Sequence, residues 1–524
     1  MKKNVLILMI LFLGLPCSLL VGGCLCSSQH ANKEDNSKIQ VSFDARFTHV
    51  RARIIREVSE RNVPSLSVAV AKNGKVIWEE AFGWANKEKR VKATPHTMYS
   101  LASISKPLTA SGLMILVKRG LVNLDDPVND YLGDLRLTAY EGDAKDATVK
   151  RVLNHTSGLT EYFNNFFEDE PYSCSGIEET IRRYGFLITP PGEIASYSNL
   201  GYGIAEYIIT KTSKKSFAQF MKEEVFLPLN LTHTSVKIEK GKEKYAAALY
   251  DRKGCPIPSY ISPTQGNGSI YSSSHDLIRF GMFHLKDHLA DQKQILSSDD
   301  LYAMQSEWDP NAMYLDDYYG LGWIVDEEWN GYHVVYHHGG GAGSNAMLLL
   351  IPSEDLAVTV LCNANSMIPF RVCDDILSEL LPKFAENLKK RRQAAEKKSV
   401  RKKPEVPEKY IGEWQGKIKT YEGEIGVRML VQRDGDSHIK LEGQLETLLN
   451  NARYGNFNIN GVFKGKIPTK DNERYPYSIQ LFVISRGDRL SGRVTASALR
   501  DGYDAFNLSS WIELKKQIPS TPLE

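Results

Sequence analysis

Two residues that could form an acyl-transfer pair stand three apart, Ser103 and Lys106, in the run Tyr99-Ser100-Leu101-Ala102-Ser103-Ile104-Ser105-Lys106-Pro107. On a helix, residues at this spacing share one face with their Cβ atoms about 5–6 Å apart, so the amine can reach the hydroxyl. An unassisted serine hydroxyl is a poor nucleophile, and a solvated lysine, with a pKa of about 10.4, is protonated and useless as a base. Burial or a neighbouring cation has to bring that pKa down. The apolar stretch that follows (Leu108, Leu113, Met114, Ile115, Leu116, Val117) would carry the pair into a domain interior. Alone, the spacing also fits a surface lysine one turn from an incidental serine.

Further runs narrow the choice. Pro191-Gly192-Glu193 leads into Tyr197-Ser198-Asn199-Leu200-Gly201-Tyr202-Gly203, and Tyr336-His337-His338-Gly339-Gly340-Gly341-Ala342-Gly343 follows later. The order S-x-x-K, Y-x-N, H-x-G resembles the penicillin-recognising serine hydrolases, in the branch that holds class C β-lactamases, DD-peptidases, β-lactamase-like esterases and D-aminopeptidases. Three local runs agree: Leu124-Asp125-Asp126-Pro127-Val128, Leu153-Asn154-His155-Thr156-Ser157-Gly158-Leu159, and Gly268-Ser269-Ile270-Tyr271-Ser272-Ser273-Ser274-His275-Asp276-Leu277. The resemblance covers roughly 43–386; each motif is weak alone and the set is specific.

The resemblance implies a catalytic Ser103, Lys106 and Tyr197, with Asn199 holding the lysine and a substrate amide. Tyr197 could take the serine proton as a phenolate or pass a proton to the leaving group, and the sequence leaves open whether it or Lys106 is the base. The oxyanion donors carried over are the N–H groups of Ser103 and Gly340. The H-x-G segment is expected to open an edge strand, with Gly339 and Gly340 letting a substrate backbone lie alongside. His337 departs from the β-lactamase pattern, which has lysine there, and a neutral imidazole holds a substrate carboxylate less strongly than an ammonium. That moves the substrate expectation from β-lactams toward peptides and esters. Adjacent strand residues point to opposite faces, so His337 and His338 cannot readily share a metal ion, and neither a metal nor another cofactor is expected.

The elements needed to position these residues are legible in outline. Ser65 to Ala71 and Val76 to Trp78 read as strands joined by an Asn73-Gly74 turn, after a helix from His49 to Arg61. Ala346 to Ile351 and Leu356 to Cys362 read as a hairpin, and a helix from Asp374 to Lys398 closes the region. The expected class is α/β (α+β): an antiparallel sheet built from both ends of residues 43–386, with a helical subdomain inserted, in the β-lactamase/transpeptidase-like fold. After a basic linker at 387–407, residues 408–516 alternate apolar and polar in short runs, an all-β barrel or sandwich. Gly412-Glu413-Trp414 resembles the G-x-W start of lipocalin-like barrels.

Lys2-Lys3 and the apolar stretch from Val5 to Val21 read as a secretory signal over 1–24, ending in a lipobox-like Leu20-Val21-Gly22-Gly23-Cys24 with Cys24 as the lipid attachment point. A polar tether, 25–42, follows; an uncleaved signal anchor is the alternative. The chain would then act on the outer face of the cytoplasmic membrane. A formal charge of +2 over 524 residues argues against nucleic acid as a partner. The run Lys389 to Lys403 reads as a solvated helix end and linker, with contact to anionic lipid head groups as the other reading. Cys362 and Cys373 read as core residues, and a Cys174–Cys255 bridge is compatible with export. The expected function is that of an exported serine hydrolase acting through an acyl-enzyme on peptide, peptidoglycan-like or small ester substrates. The alternatives are a β-lactamase and a catalytically silent binding lipoprotein.

Overall fold

The apolar runs that read as strands meet in one sheet because each has two hydrophobic faces to bury. In the computed structural model, which describes residues 45–60, 63–285, 289–306, 309, 312–313, 318–396 and 405–517, eight strands pair antiparallel. Their order is Tyr318–Tyr319, Ile324–Trp329, Tyr332–Gly341, Ser344–Ile351, Leu356–Cys362, Ser65–Lys72, Lys75–Asn86, Val91–Lys92. The period-two alternation divides them cleanly: Met347, Leu349 and Ile351 face one core with the helices Thr48–Glu60 and Ile368–Leu380. Ala346, Leu348 and Leu350 face the other core, with Ser274–His284 and the inserted helical region. The expected architecture is therefore the observed one, and the signal segment, Cys24 and the tether to residue 42 lie outside the described residues.

Local chemistry explains the turns. Asn73 and Gly74 both take positive φ, 51° and 69°, as a two-residue hairpin of right-handed strands requires. The closing helix differs from expectation: it is two helices, Ile368–Leu380 and Pro382–Glu396. Leu381 between them is extended, since the ring of Pro382 disfavours helical geometry in the preceding residue. Part of the basic run thus continues a helix, where Lys390 pairs with Glu386 and Arg392 with Asp374. Cys362 and Cys373 are buried core residues. Cys174 and Cys255 are free thiols, so the bridge considered from sequence is not formed.

Residues 412–516 form a nearly closed, barrel-like antiparallel sheet from Gly412–Thr420 to Tyr503–Lys516. Side chains at one end of this sheet reach the segment that follows the strand Asn458–Phe463 near the other: Thr447 donates to the carbonyl of Lys464 and Gln444 to that of Lys466. The interior is packed, with Trp414, Ile418, Met429, Ile479, Leu481 and Leu514 almost fully buried. Trp414 donates its indole N–H to the carbonyl of Tyr410, 2.8 Å away. This sheet is stitched to the catalytic region, since Phe163–Asn164 pairs with Phe506 and Asn507 as an extra strand.

Candidate active site

Ser103 sits in a single 3₁₀ turn, Ala102–Ile104, that runs directly into the helix Ser105–Lys118. Ala102 before it has φ +44°, a strained left-handed backbone that holds the turn at the mouth of the sheet. The helix is buried along almost its whole length, so it takes Lys106 with it, and that side chain is 0 % exposed. The Nζ of Lys106 lies 3.0 Å from Ser103 Oγ, 2.7 Å from Asn199 Oδ1 and 3.1 Å from the carbonyl oxygen of Asn267. Desolvation drives its pKa well below the ordinary lysine value, against a weaker upward pull from Glu161. A neutral amine has two N–H groups and one lone pair. Asn199 Oδ1 and the Asn267 carbonyl can only accept, so they take both hydrogens, and the lone pair is left for the hydroxyl of Ser103.

Asn199 is the first residue of the helix Asn199–Ser213. Its cap, Ser198, accepts from the N–H of Gly201 and donates to the carbonyl of Thr160, which fixes where the helix begins. Tyr197 lies just before the cap. It is 37 % exposed as a residue, yet desolvation of its hydroxyl end raises its pKa, against a smaller lowering from the Ser103 hydroxyl. Lys106 Nζ sits 4.7 Å from its ring centre. The sequence reading allowed Tyr197 to act as a phenolate; burial lowers the lysine pKa and raises that of the tyrosine, so the tyrosine keeps its proton.

His337 to Gly341 close the strand Tyr332–Gly341 rather than opening one, and that strand is internal to the sheet. Its neighbour Ile324–Trp329 pairs only as far as Tyr336, so one side of residues 337–341 is open. Gly339 meets a different need from the one expected. A Cβ there would lie 2.0 Å from the carbonyl oxygen of Leu101, so glycine lets the nucleophile turn pack against the strand. Gly340, with Ser103, lines an open cleft.

His337 is buried, its Nδ1 2.7 Å from the carbonyl of His338 and its Nε2 2.8 Å from the hydroxyl of Tyr319. A carbonyl only accepts, so Nδ1 carries the hydrogen and Nε2 accepts from Tyr319. Burial keeps the pKa of His337 well below its ordinary value. Both nitrogens are therefore engaged and the ring is neutral, so it presents no free donor to a substrate carboxylate. His338 is exposed on the other side of the strand.

Sequence reasoning passed over several neighbours. His155, in the quoted Leu153–Leu159 run, accepts the N–H of Ser198 at Nδ1 and has ring centres 4.4 Å from Tyr197 and 4.3 Å from Tyr319. It braces the tyrosine loop, and its place in a family-like run was the only signal. Tyr319 and the backbone carbonyl of Asn267 carried none.

A model of the Beta-lactamase family matches residues 50–380. Protein flp of Staphylococcus aureus (strain NCTC 8325 / PS 47) is 27% identical over 348 residues, which cover 64% of this chain and 64% of that protein. The chain thus spans under two thirds of the length of that curated relative. Among solved structures, an octameric penicillin-binding protein homologue from Pyrococcus abyssi aligns over 88% of this chain and 99% of its own, with a TM-score of 0.55 and 23% identity. A class C β-lactamase from Rhodobacter sphaeroides aligns over 64% of this chain and 100% of its own, with a TM-score of 0.52 and 21% identity. At these identities the two structures show a shared fold.

Proposed function

The chain belongs to the Beta-lactamase family of serine hydrolases, and from that premise we propose that it is an exported hydrolase that opens amide or ester bonds through an acyl-enzyme on Ser103. The observation that carries this reading is the fully buried Lys106, whose amine desolvation pushes toward its neutral form, 3.0 Å from Ser103 Oγ with two carbonyl-type acceptors on its other sides. Lys106 takes the serine proton as Oγ attacks the carbonyl carbon, and the N–H groups of Ser103 and Gly340, both at the cleft, would stabilise the oxygen that becomes negative. Tyr197, which holds its proton, donates it to the departing amine or alcohol and recovers one from Lys106. A water molecule then attacks the acyl carbon, and the same groups return Ser103 to its resting state.

Peptide or peptidoglycan-like amides and small esters are the leading substrates. β-Lactams rank lower, because His337 offers no cation to a carboxylate. The signal-like segment and Cys24 support attachment to the outer face of the cytoplasmic membrane. Fluorophosphonate labelling, compared between the wild type and Ser103→Ala, tests the acyl-enzyme; a wild-type protein that never forms a Ser103-dependent adduct overturns it. A panel of D-amino amides, p-nitrophenyl esters and nitrocefin then ranks the substrates.

A further inference from the structure

Among the described residues one charged side chain lines the cleft that holds Ser103, and it comes from the far end of the sequence. Asp504, on the strand Tyr503–Lys516 of the barrel-like sheet, borders the same space as Ser103, Asn199 and Gly340, where the other lining groups are neutral. Among the described residues its carboxylate accepts no hydrogen bond and joins no ion pair. Burial raises its pKa; the charge of the exposed Arg252 acts weakly the other way, and that of Glu161 adds to the rise. A partly buried carboxylate left without a partner is costly unless something occupies it.

Its backbone is held from several directions. Asn165 donates its N–H to the carbonyl of Ala505 at 2.8 Å and its side-chain amide to the carbonyl of Asp504 at 3.0 Å. Just before it, Arg500 pairs with Asp169 and, at 3.2 Å, with Glu170. These contacts fix the tip of the barrel hairpin against the cleft wall, so Asp504 is preorganised rather than trailing in solvent. Among the described residues no lysine or arginine lines the cleft to receive a carboxylate, and His337 has no free donor.

We propose that Asp504 is a specificity-determining residue of the cleft and binds a protonated primary amine on the substrate, so that the preferred substrates are amides or esters bearing an ammonium group. This rests on the acyl-enzyme reading for the reaction, though not for the binding. A charge-assisted hydrogen bond in a partly desolvated site discriminates by about tenfold or more.

The test compares alanine p-nitroanilide, in both enantiomers, with propionyl p-nitroanilide, which differs by the ammonium alone. In the wild type the amine-bearing compound is expected to have the higher kcat/KM, and in Asp504→Asn the ratio of the two is expected to fall about tenfold. Calorimetry with alaninamide and propionamide reads the same preference without turnover, and Asp504→Ala serves if the asparagine variant folds poorly. A wild type without preference, or a ratio unmoved in both variants, overturns the proposal. Amine binding that depends on Asp504 in a protein whose Ser103 is never labelled leaves the subsite standing and overturns the acyl-enzyme. Ser103-dependent labelling without amine preference does the reverse.

Discussion

The nucleophile helix and the barrel-like sheet serve the same cleft by opposite means. In the helix, Ser103 and Lys106 are three residues apart, and the chemistry of the pair follows from one turn of backbone and the burial of one face. In the barrel, the residues that meet the site come from 293 or more positions further on and act through ion pairs and a hydrogen bond. Arg486 binds Glu193 through two hydrogen bonds of 3.0 and 2.6 Å, Arg489 pairs with Glu141 at 2.8 Å, and Arg493 donates to Ser196 Oγ at 3.2 Å. Arg486 and Arg493 hold the segment that carries Tyr197, and Arg489 holds Glu141. Proton chemistry is thus local in sequence, whereas the walls that position the loop and bound the cleft are contributed at long range.

The sharpest separation is expected at Ser103. Ser103→Ala should abolish turnover and covalent labelling with the melting temperature kept. Ser105→Ala should retain most activity, because Ser105 faces away and accepts the N–H of Ile270 at 3.0 Å. It should instead lose about 1–3 kcal/mol of stability through that unpaired buried donor. Equal loss of activity in both variants would show that the nucleophile has been misassigned.

Next comes Lys106→Ala, for which acylation should fall by about 10²–10⁴. In the wild type kcat/KM should rise with pH as the protonated amine is emptied, because only the neutral form accepts the serine proton. Burial lowers this pKa, so the rise should be complete well below the ordinary lysine value of about 10.4. Tyr197 is shifted upward, so no alkaline fall is expected before about 10. A single rise centred near lysine's ordinary value, followed by stopped-flow acylation, would contradict the buried neutral base.

On the barrel side the effects should be smaller and should show as stability first. Arg474 is nearly fully buried, pairs with Glu170 at 3.2 Å and donates to Asn164 and the carbonyl of Asn165. Arg474→Ala should cost about 3 kcal/mol by chemical denaturation, since it strips partners from buried acceptors. A loss below about 0.5 kcal/mol would mean the two regions are less tightly joined than these contacts imply. Smallest is the Arg486–Glu193 pair, whose coupling in a double-mutant cycle should be about 1 kcal/mol, with kcat lowered a few-fold while Ser103 labelling persists. Zero coupling in both stability and kcat would separate the barrel from the tyrosine loop.

The legible part of the site was the part encoded by short spacing. Ser103, Lys106, Tyr197 and Asn199 announced themselves in runs of a few residues, and the structure brings them within hydrogen-bonding or ring contact of one another. The strand hairpins were legible for the same reason: period-two alternation and an Asn-Gly turn are local signals. The helix break at Leu381 was missed although Pro382 was in view, because the surrounding apolar pattern continues across it. Asp504, Tyr319 and the role of Gly339 were not legible at all. Each depends on an atom brought close by other elements, such as the Leu101 carbonyl that excludes any Cβ at Gly339.

The sequence by itself thus determined the family resemblance, the antiparallel and helical elements and the pair that could do acyl transfer, because residue type and spacing act through one turn or one strand. Only the tertiary structure decided which groups hold protons and what bounds the cleft. Desolvation, which pushes Lys106 toward its neutral form, keeps Tyr197 protonated and silences His337, is a property of everything packed around a group. A carboxylate at position 504 acquires a place beside Ser103 only when the barrel folds back against the cleft.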